Sequence, residues 1–173
     1  MNCIINENNK KKLIINLISS FQQKENINEL KINDKNNQEI KFEDGKYIGQ
    51  IINGFKEGKG IYYYNNGDIY EGDVRKGKKE GKGIYYYNNG NRYEGDWKNG
   101  KFEGKGIYYY HNEPWKGDRY EGDYKNGKKE GKGIIYSNDG NRRMGDYFND
   151  KPIGKHVILI NNEKVIVKNY EIK

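Results

Sequence analysis

The stretch that decides the fold is YEGDVRKGKKEGKGIYYYNNGNR, residues Tyr70 to Arg92. Its first run, YEGDV, alternates aromatic or small side chains with acidic ones, and its second run, GKGIYYY, is rich in Ile and Tyr. Both patterns predict strands. We interpret RKGKKE between the runs as a loop and NNGN after them as a tight Asn-Gly turn. The stretch therefore predicts one β-hairpin.

The hairpin recurs along the chain with a period of 23 residues, and all 23 glycines lie between Gly45 and Gly154. The full copies span residues 47–69, 70–92, 93–119 and 120–142, and a degenerate fifth copy spans residues 143–165. The third copy is four residues longer than the others around His111 to Lys116, which predicts a longer turn. Hairpins joined by tight turns predict an antiparallel meander of about ten or eleven strands.

The fold class that this pattern predicts is all-β, a single-layer antiparallel twisted ribbon of stacked β-hairpins with a short N-terminal helix. Alternation places Tyr70, Gly72 and Val74 on one face, which we call the glycine face, and Glu71 and Asp73 on the other, the acidic face. We expect aromatic rings to lie across the glycines, so that neighbouring rings replace a second layer of structure.

The flanks of the repeats predict two further segments. Residues 1–39 contain an amphipathic helix over Lys12 to Phe21 and an Asn-rich linker, residues 40–165 form the ribbon, and residues 166–173 form a capping strand. The helix is expected to pack on the aromatic face or the first hairpin, and the alternatives are a second chain or a membrane. The aliphatic strands near His156 and Val165 suggest docking, either to a second copy or to the N-terminal helix.

The run YEGDWKNGKFEGKGIYYY, residues Tyr93 to Tyr110, resembles the MORN-repeat pattern of Tyr-Glu-Gly-acidic-aromatic, then Asn-Gly, then Gly-Lys-Gly with aliphatic and Tyr positions. The resemblance extends from Tyr47 to about Val165, although Arg143, Met144 and His156 replace the expected Tyr, Glu and Gly. It implies a single-layer β-ribbon used in assembly, in cytoskeletal and ciliary structures and in attachment near membranes, usually without enzymatic activity. It also implies pairing through terminal repeats, and hence a homodimer.

Rings on both faces predict a surface for a protein partner or for self-association. The candidate residues are Tyr63, Tyr86, Tyr109 and Tyr136 on the acidic face, and Tyr70, Tyr93, Trp97, Tyr120 and Tyr124 on the glycine face. The alternative is that these tyrosines only cover neighbouring isoleucines. We expect a non-enzymatic interaction and assembly scaffold, cytoplasmic and associated with the cytoskeleton or a cilium.

A second hypothesis is a peripheral membrane module that binds anionic phospholipid through a rim of lysines. The candidate rim residues are Lys78, Lys79, Lys82, Lys101, Lys105, Lys128, Lys129 and Lys132. The alternative is that these lysines keep an exposed ribbon soluble and unpaired. Nucleic acid is not expected, because acidic rows lie close by and no recognition helix is predicted.

No residue pattern predicts catalysis, a metal site or a cofactor. His111 and His156 have no second ligand at metal-binding spacing, and the repeated Glu-Gly-Asp occurs in every full copy, whereas a catalytic carboxylate pair normally occurs once. Cys3 is the single cysteine, and neither a signal peptide nor a membrane-spanning apolar run is predicted. We therefore expect a protein of a reducing compartment that is not an enzyme.

Overall fold

The computed structural model describes residues 37–161 and 163–171, which form one antiparallel sheet. Twelve strands follow one another across the sheet in chain order. They are β1 (Gln38–Phe42), β2 (Gly45–Ile52), β3 (Phe55–Tyr64), β4 (Ile69–Arg75), β5 (Lys78–Tyr86), β6 (Arg92–Lys98), β7 (Lys101–Tyr109), β8 (Arg119–Lys125), β9 (Lys128–Tyr136), β10 (Arg142–Phe148), β11 (Lys151–Ile160) and β12 (Lys164–Tyr170). The predicted single-layer meander is confirmed, with twelve strands instead of ten or eleven. The predicted N-terminal helix lies outside the described residues.

The turn inside each hairpin has only two residues, both with positive φ. Lys76 and Gly77 have φ values of 48° and 75°, and Asn99 and Gly100 have values of 51° and 80°. Positive φ at both central residues is typical of a type I′ turn, whose twist matches that of the flanking strands. The interpretation of RKGKKE as a loop is therefore wrong in its extent, because β5 already begins at Lys78.

Glycines face one another across nine neighbouring strands, from β2 to β10. The column consists of Gly49, Gly60, Gly72, Gly83, Gly95, Gly106, Gly122, Gly133 and Gly145, each opposite the next. The opening tyrosine of each full repeat lays its ring on this column: a Cβ added to Gly83 would lie 2.6 Å from Cε2 of Tyr70. Only a hydrogen side chain leaves room for the ring, as predicted for the glycine face.

The seated rings are fully buried although the sheet is a single layer. Tyr70, Tyr93 and Tyr120 have exposed fractions of 0–1%. Their hydroxyls donate hydrogen bonds to the carbonyl oxygens of Asp73, Asp96 and Asp123, at 2.7, 2.9 and 3.2 Å. Each of these three phenols therefore has a partner inside its own hairpin, which offsets the cost of burying its hydroxyl.

Larger rings fill the space between seated tyrosines of successive repeats. Trp97 meets Tyr70 and Tyr93 edge to face, with centroids 5.2 and 5.3 Å apart, and Tyr124 meets Tyr93 and Tyr120 at 5.2 and 5.4 Å. Edge-to-face pairs at these distances add stability beyond their buried area. The core is thus a row of rings that runs along one face of the sheet.

The inserted residues of the third repeat form a turn, as predicted. β7 ends at Tyr109 and β8 begins at Arg119, and Trp115 between them is 57% exposed. The glycine column continues from Gly106 in β7 to Gly122 in β8. The four additional residues therefore lengthen the connection without disturbing the register.

Candidate interaction surfaces

A second row of rings lies on the glycine face beside the core. It comprises Phe42, Tyr62, Tyr64, Tyr85, Tyr87, Tyr108 and Tyr110, and successive centroids are 6.1, 4.4, 5.9, 4.7, 5.9 and 4.8 Å apart. We call this row the ring track. It crosses the first three repeats and then stops, because Ile135 and Ser137 occupy the corresponding positions of the fourth repeat.

Two hydroxyl groups of the ring track, those of Tyr62 and Tyr85, donate to carboxylates, whereas the hydroxyl of Tyr110 accepts from Nζ of Lys129 at 2.7 Å. Tyr62 donates to Asp44, and Tyr85 donates to Oδ2 of Asp68 at 2.7 Å. Asp68 also accepts the backbone N–H of Asn88 at 2.8 Å. Burial acts to raise the pKa of Asp68, but these donors outweigh it and hold the pKa below its ordinary value. The acids along this side are thus satisfied mainly by neutral donors.

Lysine ammonium groups lie over the faces of the same rings. Lys79 Nζ is 4.2 Å from the centroid of Tyr85 and 4.9 Å from that of Trp97. Lys56 Nζ is 4.2 and 4.3 Å from the centroids of Phe42 and Tyr62. Burial lowers the pKa of Lys79 to about 8, although the charge of Asp68 acts in the opposite direction. Cations here are held by ring faces rather than by acids.

A cavity of about 250 Å³ opens at the start of the ring track. Its lining includes Lys56, Lys79, Tyr62, Tyr64 and Tyr70, together with Asp44, whose carboxylate accepts a hydrogen bond from the hydroxyl of Tyr62. The cavity therefore combines ring faces with two partly desolvated cations. That combination suits an anionic group carried by a flat or apolar stem.

The acidic face carries tyrosines that alternate with arginines on neighbouring strands. The guanidinium of Arg92 lies 4.2 Å from the ring centroid of Tyr109, and that of Arg119 lies 3.9 Å from that of Tyr136. In the sheet register, Arg92 is opposite Tyr86 and Tyr109, and Arg119 is opposite Tyr109 and Tyr136. Stacked guanidinium and phenol groups therefore form a regular column.

Lysines and aspartates of successive repeats form a ladder on the acidic face. Lys82 pairs with Asp96 at 2.5 Å, and Lys105 pairs with Asp123 at 2.5 Å. Oδ2 of Asp96 also accepts the backbone N–H of Lys105 at 3.0 Å. Burial opposes ionisation of Asp96, but Lys82 and this N–H hold its pKa below the ordinary value. Each aspartate thus ties its own hairpin to the preceding repeat.

The predicted protein-binding residues divide by exposure. Five of them, Tyr70, Tyr93, Trp97, Tyr120 and Tyr124, are only 0–5% exposed and form the core. Rings of adjacent repeats cover them, so they leave little surface for a partner. The other four, Tyr63, Tyr86, Tyr109 and Tyr136, are half-buried on the acidic face.

The eight predicted rim lysines divide into three groups. Lys78, Lys101 and Lys128 are exposed next to the hairpin turns, Lys79 and Lys129 are half-buried on the glycine face, and Lys82, Lys105 and Lys132 pair with aspartates on the acidic face. A single rim does not form, because the hairpin turn has only two residues and strand alternation then separates the lysines.

Sequence analysis did not single out the ring track or Lys56 as functional. The triple tyrosine of each of the first three repeats carries the signal, because its middle residue faces the acidic side and its outer two face the glycine side. Strand alternation places Tyr85 and Tyr87 on the glycine face, but their continuity with Tyr64 and Tyr108 depends on contacts between repeats.

Within residues 37–161 and 163–171, no helix is long and apolar enough to cross a membrane. The same residues contain no group of three or more His, Cys, Asp or Glu side chains that could hold a metal ion.

Comparisons with known proteins agree with the repeat architecture. A family model described as the MORN repeat matches residues 47–69, 70–92, 93–113 and 120–142. One solved structure that matches is the wild-type TCP10 domain of CPAP from Danio rerio, in complex with a peptide of Danio rerio STIL, and it carries no argument about the fold. It has a TM-score of 0.45 and 15% identity, over 77% of this chain and 64% of that chain, so the present chain spans less than two thirds of its length. A search of curated proteins finds no match. Since the family model matches more than half of the residues, the chain belongs to the MORN-repeat family.

Proposed function

We propose that this chain is a non-enzymatic scaffold for protein interaction and assembly. The observation that supports it best is the row of half-buried rings of Tyr63, Tyr86, Tyr109 and Tyr136 on a face that no second layer covers among the described residues. The rings recur on every second strand, and two of them stack with the guanidinium groups of Arg92 and Arg119. Tyrosine and arginine are the side chains most enriched at the energetic centres of protein interfaces.

The setting that we propose is a cytoskeletal, ciliary or cortical assembly in the cytoplasm, as the family resemblance implies. Self-association through the terminal repeats is part of the proposal. Val165, Ile166 and Val167 of the edge strand β12 are 61%, 37% and 51% exposed. Among residues 37–161 and 163–171, the outer edge of this aliphatic strand has no partner strand, and such an edge favours pairing with another chain.

The proposal is tested with a Tyr86→Ser and Tyr109→Ser double variant. A Trp115→Ser variant is the matched control, because it removes an exposed ring that lies in a turn and not on a sheet face. Thermal unfolding establishes that both variants are folded. Sedimentation velocity measures self-association, and quantitative affinity capture from source cells compares the retained proteins.

We expect the double variant to lose partners or self-association that the wild type and the Trp115→Ser variant retain. Equal sedimentation and an equal set of retained proteins for all three chains would contradict the proposal.

The second candidate, binding to anionic phospholipid, is favoured only by Lys78, Lys101 and Lys128, which are exposed beside the turns. Each such lysine contributes at most about 1 kcal/mol near an anionic surface. Flotation with liposomes that contain phosphoinositide tests it. Salt-sensitive flotation that is lost after replacement of these three lysines by Gln would support the lipid function over the scaffold.

A further inference from the structure

The ninth residue after the opening tyrosine lies at an equivalent place in each repeat. These residues are Lys56, Lys79, Phe102 and Lys129, which stand opposite Ile51, Val74, Trp97 and Tyr124 on the paired strand. All four are half-buried on the glycine face beside the ring track. The chain therefore presents a fixed order of groups along this face: cation, cation, ring, cation.

Two of these cations lack an acidic partner. Neither Lys56 nor Lys79 takes part in any ion pair among the described residues, whereas Lys59, Lys82, Lys105 and Lys132 on the acidic face all do. The carboxylate that acts on Lys56 is that of Asp44, which accepts a hydrogen bond from Tyr62. The carboxylate that acts on Lys79 is that of Asp68, which accepts hydrogen bonds from Tyr85, Asn88 and Asn66. Partly desolvated cations without a counter-ion favour an external anion.

The spacing of the lysines restricts the backbone conformation of a peptide that could place its acidic side chains against them. Equivalent residues of successive repeats lie two strands apart, which corresponds to ~9.6 Å at ~4.8 Å per strand. A polyproline II helix has three residues per turn and rises ~3.1 Å per residue, so every third side chain points the same way at intervals of ~9.3 Å. Extended β-structure does not fit, because its side chains at positions i and i+3 point to opposite faces.

The aromatic rings of the ring track also favour a bound peptide in the polyproline II conformation. Aromatic-lined grooves bind proline-rich segments because this helix is preformed and loses little entropy on docking. The ring track supplies seven rings with centroids 4.4–6.1 Å apart, which make a continuous aromatic floor.

We propose that the ring track binds an acidic, proline-rich partner segment in the polyproline II conformation, with acidic side chains against Lys56, Lys79 and Lys129 and an apolar side chain against Phe102. The inference rests on the proposed scaffold function and names the chemistry of one partner. The corresponding motif has acidic residues at positions i, i+3 and i+9 and an apolar residue at i+6, in either chain direction.

Fluorescence anisotropy with the full chain tests the motif. The matched peptide is EPPEPPLPPE, and the control peptide EEEPPPLPPP has the same composition with its acids clustered. We expect the matched peptide to bind about tenfold more tightly, because correctly placed charge pairs set specificity. Equal affinity for the two peptides would overturn the proposal.

Paired variants locate the site. Lys79→Gln is expected to weaken binding of the matched peptide about tenfold, whereas Lys82→Gln, which lies on the acidic face of the same strand and pairs with Asp96, is expected to change it less than about twofold. Equal effects of the two variants would overturn the assignment to the ring track. If Lys79→Gln abolishes binding to phosphoinositide vesicles but leaves peptide binding unchanged, the anion is a lipid and the proposal is wrong.

A register swap gives the sharpest result. Phe102→Lys places a lysine at the position where the other three full repeats already have one. The variant should therefore prefer EPPEPPEPPE to EPPEPPLPPE. An unchanged preference in a folded variant would contradict the proposed alignment. If the peptide experiments fail while Tyr86→Ser and Tyr109→Ser still remove partners, the scaffold function stands and only the ring track assignment falls.

Discussion

The Nε2 atom of His156 lies 2.9 Å from the carbonyl oxygen of Asp146, and its imidazole covers Gly145. Since a carbonyl only accepts, Nε2 carries the proton and donates. Asp146 corresponds to the aspartates that accept the tyrosine hydroxyls in the earlier repeats. His156 therefore replaces the ring that is lost where Arg143 stands at the tyrosine position. It is fully buried and packs edge to face on Tyr147 at 5.3 Å.

This replacement predicts a rescue. His156→Gly alone removes the ring over Gly145 and should reduce the free energy of unfolding by about 3 kcal/mol. Adding Arg143→Tyr restores the pattern of the other repeats, so the double variant should regain most of that loss. Chemical denaturation measures all three chains, and a double variant no more stable than His156→Gly would refute the replacement.

A methyl group added to a glycine of the column should lower the free energy of unfolding. A Cβ on Gly95 would lie 2.6 Å from the Lys105 carbonyl oxygen and 2.7 Å from the Tyr93 hydroxyl. We expect Gly95→Ala to destabilise the sheet by about 2 kcal/mol. Gly100→Asn is the control: its position is open, and Asn tolerates the positive φ there, so the cost should stay below about 1 kcal/mol. If thermal or chemical unfolding shows the same loss of stability for both variants, the tyrosine rings do not depend on the glycines beneath them.

Asp96 should contribute more to the free energy of unfolding than its ion pair with Lys82 alone. Asp96→Ala removes both the Lys82 contact and the acceptor for the backbone N–H of Lys105, and we expect a loss of about 1.5 kcal/mol. Lys82→Gln removes only the exposed ion pair and should cost less than about 1 kcal/mol. Urea denaturation compares the two variants, and a larger loss for Lys82→Gln would reverse our ranking.

The amine of Lys79 predicts a pH effect of definite sign. Burial lowers its folded-state pKa from 10.5 to about 8, so between these values the unfolded chain binds more protons. The wild type should therefore gain stability relative to Lys79→Gln as the pH rises from about 7 to about 10. Denaturation of both chains at each pH measures the difference, which would stay constant if Lys79 titrated normally.

The strands, their order and the glycine column could be predicted from the sequence, because a 23-residue period repeats the same local signals. The role of His156 could not be predicted, because a histidine at a glycine position of the repeat indicates only a degenerate copy. Its contacts with Gly145 and Asp146 appear only in the structure. The burial of Trp97 and Tyr124 depends on rings of adjacent repeats, which strand alternation alone does not place. The lysines were grouped wrongly on one rim, because the two-residue turn at Lys76 was not foreseen.

The central claim is that tyrosine rings seated on glycines hold a single-layer sheet together. The chemical shifts of the glycine Hα protons test it most directly, since a ring face shifts protons beneath it upfield. We expect upfield shifts for Gly95 and Gly106 relative to the turn glycines Gly100 and Gly127, and their loss in a Tyr93→Leu variant. Shifts at Gly95 and Gly106 that match those of the turn glycines would contradict the claim.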